Sequence, residues 1–262
     1  MNAALRPPFA FSAGGIIGTL GGLIGLGGAE FRLPVLIGMF GFRALDAVIV
    51  NKAVSLIVVA FALPFRASVV PFADIASHWT VIANLLAGSL VGAWLGADLA
   101  LKLASRALFR VIAALLLLIA IVLAFGHGAT QGHPLLDGAA LQVAGVVAGL
   151  GIGIVASLLG VAGGELLIPT LIFLFGVDVK LAGSLSLAVS LPTMLIGFAR
   201  YSQDRSFGVL ARNRGFLCAM ALGSIAGAFV GSRLLGIIPV DLLLPLLALL
   251  LAASAIKLWR DG

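Results

Sequence analysis

Four ionisable residues stand inside long apolar runs: Glu30 and Arg32 in GLGGAEFRLP, Lys52 in VIVNKAVSL and Glu165 in GVAGGELLIP. Ionisable side chains at membrane depth are costly to keep and usually face a cavity or a partner. Two kinds of chemistry suit this set. Arg32 and Lys52 can hold the charge of an oxyanion, and Glu30 and Glu165 can take up and release a coupling proton. A structural role competes for each residue. Glu30 and Glu165 can cap or neutralise helix ends, Arg32 can pair with one of them, and Lys52 can extend its stem toward the aqueous surface. Two further pairs, Asn51 with Ser55 and Ser186 with Ser190, are spaced i, i+4 and so share one helix face. They offer amide and hydroxyl donors to a tetrahedral anion, or hydrogen bonds between helices.

The elements that must position these groups are written twice. At an offset of 135, residues 25–41 align with 160–176 without a gap, and eight of the 17 positions are identical, including Gly28, Glu30 and Pro34. The same offset lays GSLVGAWLG (88–96) on GSIAGAFVG (223–231) with five of nine identical, and Asn51 and Ser55 on Ser186 and Ser190. The chain therefore divides into a first half at 9–126, a short extramembrane linker at 127–137 and a second half at 138–260. Contiguous glycines at Gly27, Gly28 and Gly163, Gly164 predict a helix break in each half. Pro34 and Pro169 suit the first turn of the helix that follows. Helix N-termini starting near Glu30 and Glu165 present unpaired N–H groups and a partial positive charge, a setting that favours an anion. Glycines spaced by four (Gly14, Gly18; Gly88, Gly92, Gly96; Gly223, Gly227, Gly231) read instead as tight helix packing.

Composition sets the class. Of 262 residues, 62% are hydrophobic and 10% charged, and mean hydropathy is +1.24, against roughly 25% charged in a soluble domain. The apolar runs suit spanning helices rather than short alternating strands. The expected fold is an all-α, polytopic helical membrane protein of two inverted repeats, each with a broken or re-entrant helix pair and three spanning helices. The expected segments are 11–27, 31–41, 46–65, 79–98 and 108–125, then 143–162, 165–176, 181–199, 215–235 and 240–257. The net charge of +6 comes from Lys and Arg scattered between apolar runs, which reads as topology rather than nucleic-acid binding. Cys218 has no partner for a disulfide and reads as packing, and the N-terminal apolar stretch reads as retained rather than cleaved.

Basic residues decide how the motif crosses. If each motif is one broken crossing helix, the two sides carry eight and six Lys or Arg. If each enters and returns, they carry eleven and three, with only Arg66, Lys180 and Arg233 on the poorer side. Cytoplasmic loops carry the excess. The second arrangement is preferred, with both termini cytoplasmic and the halves inverted. Inverted halves around discontinuous helices are a secondary-transporter architecture, with the site near the midplane.

No Walker loop, HExxH or GxSxG is present, so neither ATP-driven pumping by this chain alone nor hydrolytic chemistry has its parts, and no enzyme activity, cofactor or metal is expected. His127 and His133 lie in the linker without metal-ligand companions. Two Gly-rich phrases closed by Pro, each opening half of a chain near 260 residues, resemble the TauE/SafE sulfite exporter family of membrane permeases over nearly the whole chain. The resemblance implies a secondary transporter moving sulfite or small organosulfur anions across a bacterial inner membrane, with Gly25–Pro34 and Gly160–Pro169 flanking the path. The usual phrase has three consecutive glycines. Here GGAE and AGGE each carry a Glu directly after, and a carboxylate near an anion must be protonated or paired. The implied partners are the lipid bilayer, a small anionic substrate and protons; oligomeric state is not legible. The alternatives are uptake of another small anion or solute, and a non-transporting membrane scaffold subunit.

Overall fold

The computed structural model describes residues 7–24, 28–66, 70–125 and 136–234, with isolated positions between 249 and 259. Gly27, linker residues 127–135 and nearly all of the span expected at 240–257 lie outside the described residues. Within them the chain is helical, with no strand: α1 Pro7–Ile24, α2 Ala29–Gly38, α3 Ala44–Arg66, α4 Phe72–Ser77, α5 Trp79–Lys102, α6 Ser105–Phe125, α7 Gly138–Leu159, α8 Gly164–Phe175, α9 Val179–Ser202, α10 Gly208–Arg212 and α11 Arg214–Leu234. Five are long and apolar enough to cross a membrane, over Ala44–Ala62, Trp79–Lys102, Gly138–Leu159, Leu181–Ser202 and Arg214–Gly231. This is an all-α, polytopic membrane protein.

Several helices start before their apolar runs, because first turns tolerate groups that apolar patterning ignores. α1 opens on Pro7 and Pro8, whose missing N–H groups cost nothing at a helix start, and α3 carries Asp46 in its first turn. The short helices α4 and α10 were not expected. Shifted by 135, α4 becomes 207–212, which overlaps α10, just as α1, α2, α3 and α5 fall on α7, α8, α9 and α11.

The two halves are laced together. α1 packs along α11, and α5 along α7. Both seams are lined by the four-spaced glycines. A Cβ at Gly14, Gly18 or Gly22 would run into the backbone of Met220, Ser224 or Ala228, and one at Gly88, Gly92 or Gly96 into that of Val146, Leu150 or Ile154. Gly145, Gly149 and Gly153 answer from α7, and Gly223 and Gly227 from α11. Residue numbers rise together along each seam, so both pairs run parallel. Backbones in such contact are held by dispersion and close packing, which require small residues in a bilayer.

Other contacts fix the remaining directions. Ser89 meets Thr193 at 2.7 Å and Asp98 meets Arg200 at 2.5 Å, so α5 and α9 run parallel. Lys52, early in α3, lies against Gly197, late in α9, and Leu56, Val59 and Ala62 pack with Leu187, Leu191 and Met194. α3 and α9 therefore run antiparallel.

At one end of the molecule, Phe9 and Phe42 stack with Phe40 and Phe216 across α1, the α2–α3 turn and α11. Arg43, Leu103, Ser105 and Ser206 line a cavity of about 270 Å³ there. Asp98 bridges Lys102 and Arg200 at the same end. In the adjoining turn the Ser206 N–H donates to Asp204, holding that carboxyl below its usual range. At the opposite end, Asn84 donates to the Gln142 carbonyl at 2.9 Å, and the Phe175 ring lies beside Gly145. Each of α1–α2 and α7–α8 is thus a hairpin that starts and finishes at one end, the first at the basic end and the second at the other.

Gly92→Val should open the α5–α7 seam at a cost of about 1–3 kcal/mol. Gly151→Val, on an α7 position with nothing within 4 Å of an added Cβ, should stay within about 0.5 kcal/mol. Thermal unfolding of both variants in detergent checks the contrast, and equal midpoints would show that the seam is not close-packed.

Candidate functional site

The tips of the two hairpins are shaped by glycine. Gly28 and Gly163, the residues before α2 and α8, have φ of 70° and 82°, and Gly160, which ends α7, has φ of 66°. Left-handed backbone of this kind strains any residue with a Cβ. At Gly28 a Cβ would also strike the Ile17 carbonyl, and at Gly160 the Val48 carbonyl. Gly164 is the first residue of α8 rather than part of the break. Pro34 and Pro169 do not break the chain either. Each is the sixth residue of its helix, α2 or α8. Their effect is different: a proline lacks the N–H that would bond the carbonyl four residues back, here that of Glu30 or Glu165.

Glu30 and Glu165 occupy the second position of α2 and α8 and are 0% and 2% exposed. The two carboxyls come within interaction distance of each other, and among the described residues no side-chain donor reaches any of their four oxygens. Helices from opposite ends of the molecule thus bring their first turns together.

The cations beside them are held by neutral groups. Arg32 is fully buried; its Nη1 donates to Asn51 Oδ1 at 3.2 Å and Ser55 Oγ at 2.9 Å, and its Nη2 to Ser224 Oγ at 3.3 Å. The charge of Glu30 lies near enough to act on it. Lys52 does not extend to the surface. It is fully buried, and Nζ donates to the Ala156 carbonyl and Ser157 Oγ, each at 3.3 Å. Asn51 Nδ2 donates to the carbonyls of Ala29 (3.0 Å) and Leu159 (3.1 Å), so one amide ties the start of α2 to the end of α7.

The structure therefore gathers Gly28, Glu30, Arg32, Asn51, Lys52, Ser55, Gly163 and Glu165 around the meeting tips. Ser190 is at the edge, its hydroxyl donating to the Ala162 carbonyl at 2.8 Å. Ser186 turns back to the Gly183 carbonyl of its own helix at 2.9 Å. At the 135 offset, Arg32 and Lys52 correspond to Leu167 and Leu187, so carboxyls come from both halves and cations from one.

Three contributors escaped the reading of the sequence. Ser224 had a signal, because it and Ser89 are the matched serines of the two GSxxGAxxG phrases, but the glycines around them drew attention to packing instead. Ser157 and Tyr201, whose hydroxyl donates to the Ser157 carbonyl at 2.9 Å, correspond to Gly22 and Arg66 in the other half. Repetition could not have found them.

Comparison with known proteins gives one result. Residues 10–258 match the model of the family described as Sulfite exporter TauE/SafE. Neither curated proteins nor solved structures give a match.

Asn51→Leu should lower stability by about 1–3 kcal/mol, the cost of stranding buried polar partners. Ser186→Ala, which removes one local bond, should cost no more than about 1 kcal/mol. Denaturation midpoints of the two variants provide the check, with equal losses counting against Asn51 as the tie between the tips.

Proposed function

Because the chain belongs to the sulfite exporter TauE/SafE family, we propose that it is a secondary transporter that exports a small sulfur-containing anion, sulfite or an organosulfonate. The anion binds between the two hairpin tips, and protons are the coupling ion. The observation that carries this reading is the meeting of α2 and α8 beside buried Arg32 and Lys52. With 10 and 12 residues, these helices are about 15 and 18 Å long at 1.5 Å per residue. That is roughly half of a 30 Å hydrocarbon core. Two half-length helices that start face to face and run to opposite ends place their first turns at the middle, where a transporter must expose its site to each side in turn.

The basic end, with Arg43, Lys102, Arg200 and Arg205, faces the cytoplasm. In this orientation the two halves are inverted repeats in a cell membrane, and rocking of one against the other alternates access. The N–H groups of the α2 and α8 first turns point toward an anion held between the tips. Asn51, Ser55 and Ser224 are neutral acceptors for Arg32, and an oxyanion is a stronger one. On substrate entry the guanidinium exchanges some of these bonds for charge-assisted ones. Lys52 contributes a second positive charge from α3. Glu30 and Glu165 carry the proton that keeps carboxylates compatible with an anion alongside.

The test is flux of labelled sulfite and of a sulfonate in proteoliposomes under an imposed pH gradient. Wild type should move the anion against proton entry, and inverting the gradient should reverse the direction. A lost charge-assisted hydrogen bond of about 1.5–3 kcal/mol corresponds to a roughly 10- to 150-fold drop. Arg32→Gln and Lys52→Gln should each lose that much flux while eluting as folded protein on gel filtration. Undiminished flux in both variants would remove the site from the tips.

A further inference from the structure

We propose that Glu30 and Glu165 form one proton site rather than two: a carboxyl pair that shares a single proton across the seam between the halves, clasping the hairpin tips while the proton is present and driving them apart when it leaves. The role of that proton in transport rests on the function proposed above; the clasp itself does not.

The two residues are equivalents at the 135 offset, each in the first turn of a helix that follows a left-handed glycine. α3 and α9, which carry the hairpins, are antiparallel equivalents, so the arrangement directs both carboxyls to the same point from opposite ends. Both are essentially without solvent contact, and among the described residues no side-chain donor reaches either. Two ionised carboxylates so placed repel each other. With one proton between them, one oxygen donates and its counterpart accepts, the arrangement open to like-charged carboxyls that share a site.

Among the described residues, the neighbouring charged and titratable groups hydrogen-bond to other partners. From α2, Arg32 donates to Asn51, Ser55 and Ser224. Lys52, on α3, donates to Ala156 and Ser157 of α7. Tyr201, on α9, donates to the Ser157 carbonyl, and α11 presents the neutral Ser224 hydroxyl. The cations balance the pair's charge without bonding its oxygens. The proton comes from bulk water at one membrane face and leaves to bulk water at the other, so no other reactant enters.

Asn51 is the fixed part of the same seam. Its amide joins Ala29 to Leu159 by two hydrogen bonds that do not titrate. The carboxyl pair is the part that can be switched.

The experiment uses the purified full chain without substrate. Thermal midpoints are measured against pH for wild type, Glu30→Gln, Glu165→Gln and the double variant. The shared proton exists only in the folded protein, since separated carboxyls in the unfolded chain ionise near pH 4.3. Its stabilisation is therefore present at low pH and lost as pH rises through the titration of the pair. The wild-type midpoint should fall over that range. A single Gln donates its amide N–H to the remaining carboxylate at any pH, so either single variant should lose the whole dependence, as fully as the double variant does. If each single variant keeps part of it and only the double loses all, the residues are separate sites and the proposal fails.

Infrared titration of wild type gives a check that needs no variant. Over the range where the midpoint falls, the protonated-carboxyl stretch assigned to the pair should vanish with loss of one proton per chain, the other having left at lower pH, and loss of two protons in that range would also overturn the proposal. The proton dependence of sulfite flux, measured on the same variants, separates the two readings. Absent flux in wild type with the midpoint pattern intact defeats the transport role alone.

Discussion

Burying four ionisable groups in one apolar interior is the constraint on which the rest of this structure depends. A charge moved out of water must be balanced and solvated by the protein itself. Here two cations and two carboxyls lie together, and the solvating groups are Asn51, Ser55, Ser157 and Ser224, with the Ala156 carbonyl. These ligands come from α3, α7 and α11, so charge compensation requires both halves to be present. The carboxyls are equivalents in the two halves, while the cations are not. At the 135 offset the described helices correspond, while the cations do not.

The seams that hold this arrangement obey a second rule. Between helices in a bilayer, water is not available to drive apolar association, and close backbone approach takes its place. Glycines at intervals of four along α1, α5, α7 and α11 provide that approach, and the same residue type does a different task at Gly28, Gly160 and Gly163, where the backbone is left-handed. Spacing separates the two uses: intervals of four mark a packed face, and a positive φ marks a reversal.

Much of this was legible in the chain itself. The offset of 135 located the matched helices, because a hairpin that must recur needs the same glycines, the same Glu and the same Pro. Glu30, Arg32, Asn51, Lys52, Ser55 and Glu165 stood out as polar groups in apolar runs, and the fold brings them together. Patterning failed where its physics is silent. The position of Pro34 and Pro169 inside their helices could not be read, since a proline is tolerated in an early turn as well as at the first residue. Ser186 had the right spacing yet bonds its own backbone, because spacing places a hydroxyl on a face without choosing its acceptor. Ser157 meets Lys52 across the seam and Tyr201 bonds the Ser157 carbonyl behind it, from positions whose counterparts in the other half, Gly22 and Arg66, are different residue types. The short helices α4 and α10 are too brief to carry a periodic signal.

The exchange of helices between the halves also constrains how such a molecule can be made. α1 rests on α11 and α5 on α7, so the glycine-lined face of α1 has no seam partner until α11 has been made. That face must wait in lipid, or beside the insertion machinery, while the segments between α1 and α11 are threaded. Synthesis in two pieces should then be tolerable only if both are made at once, since neither fragment contains the surface that its own first helix was shaped to fit.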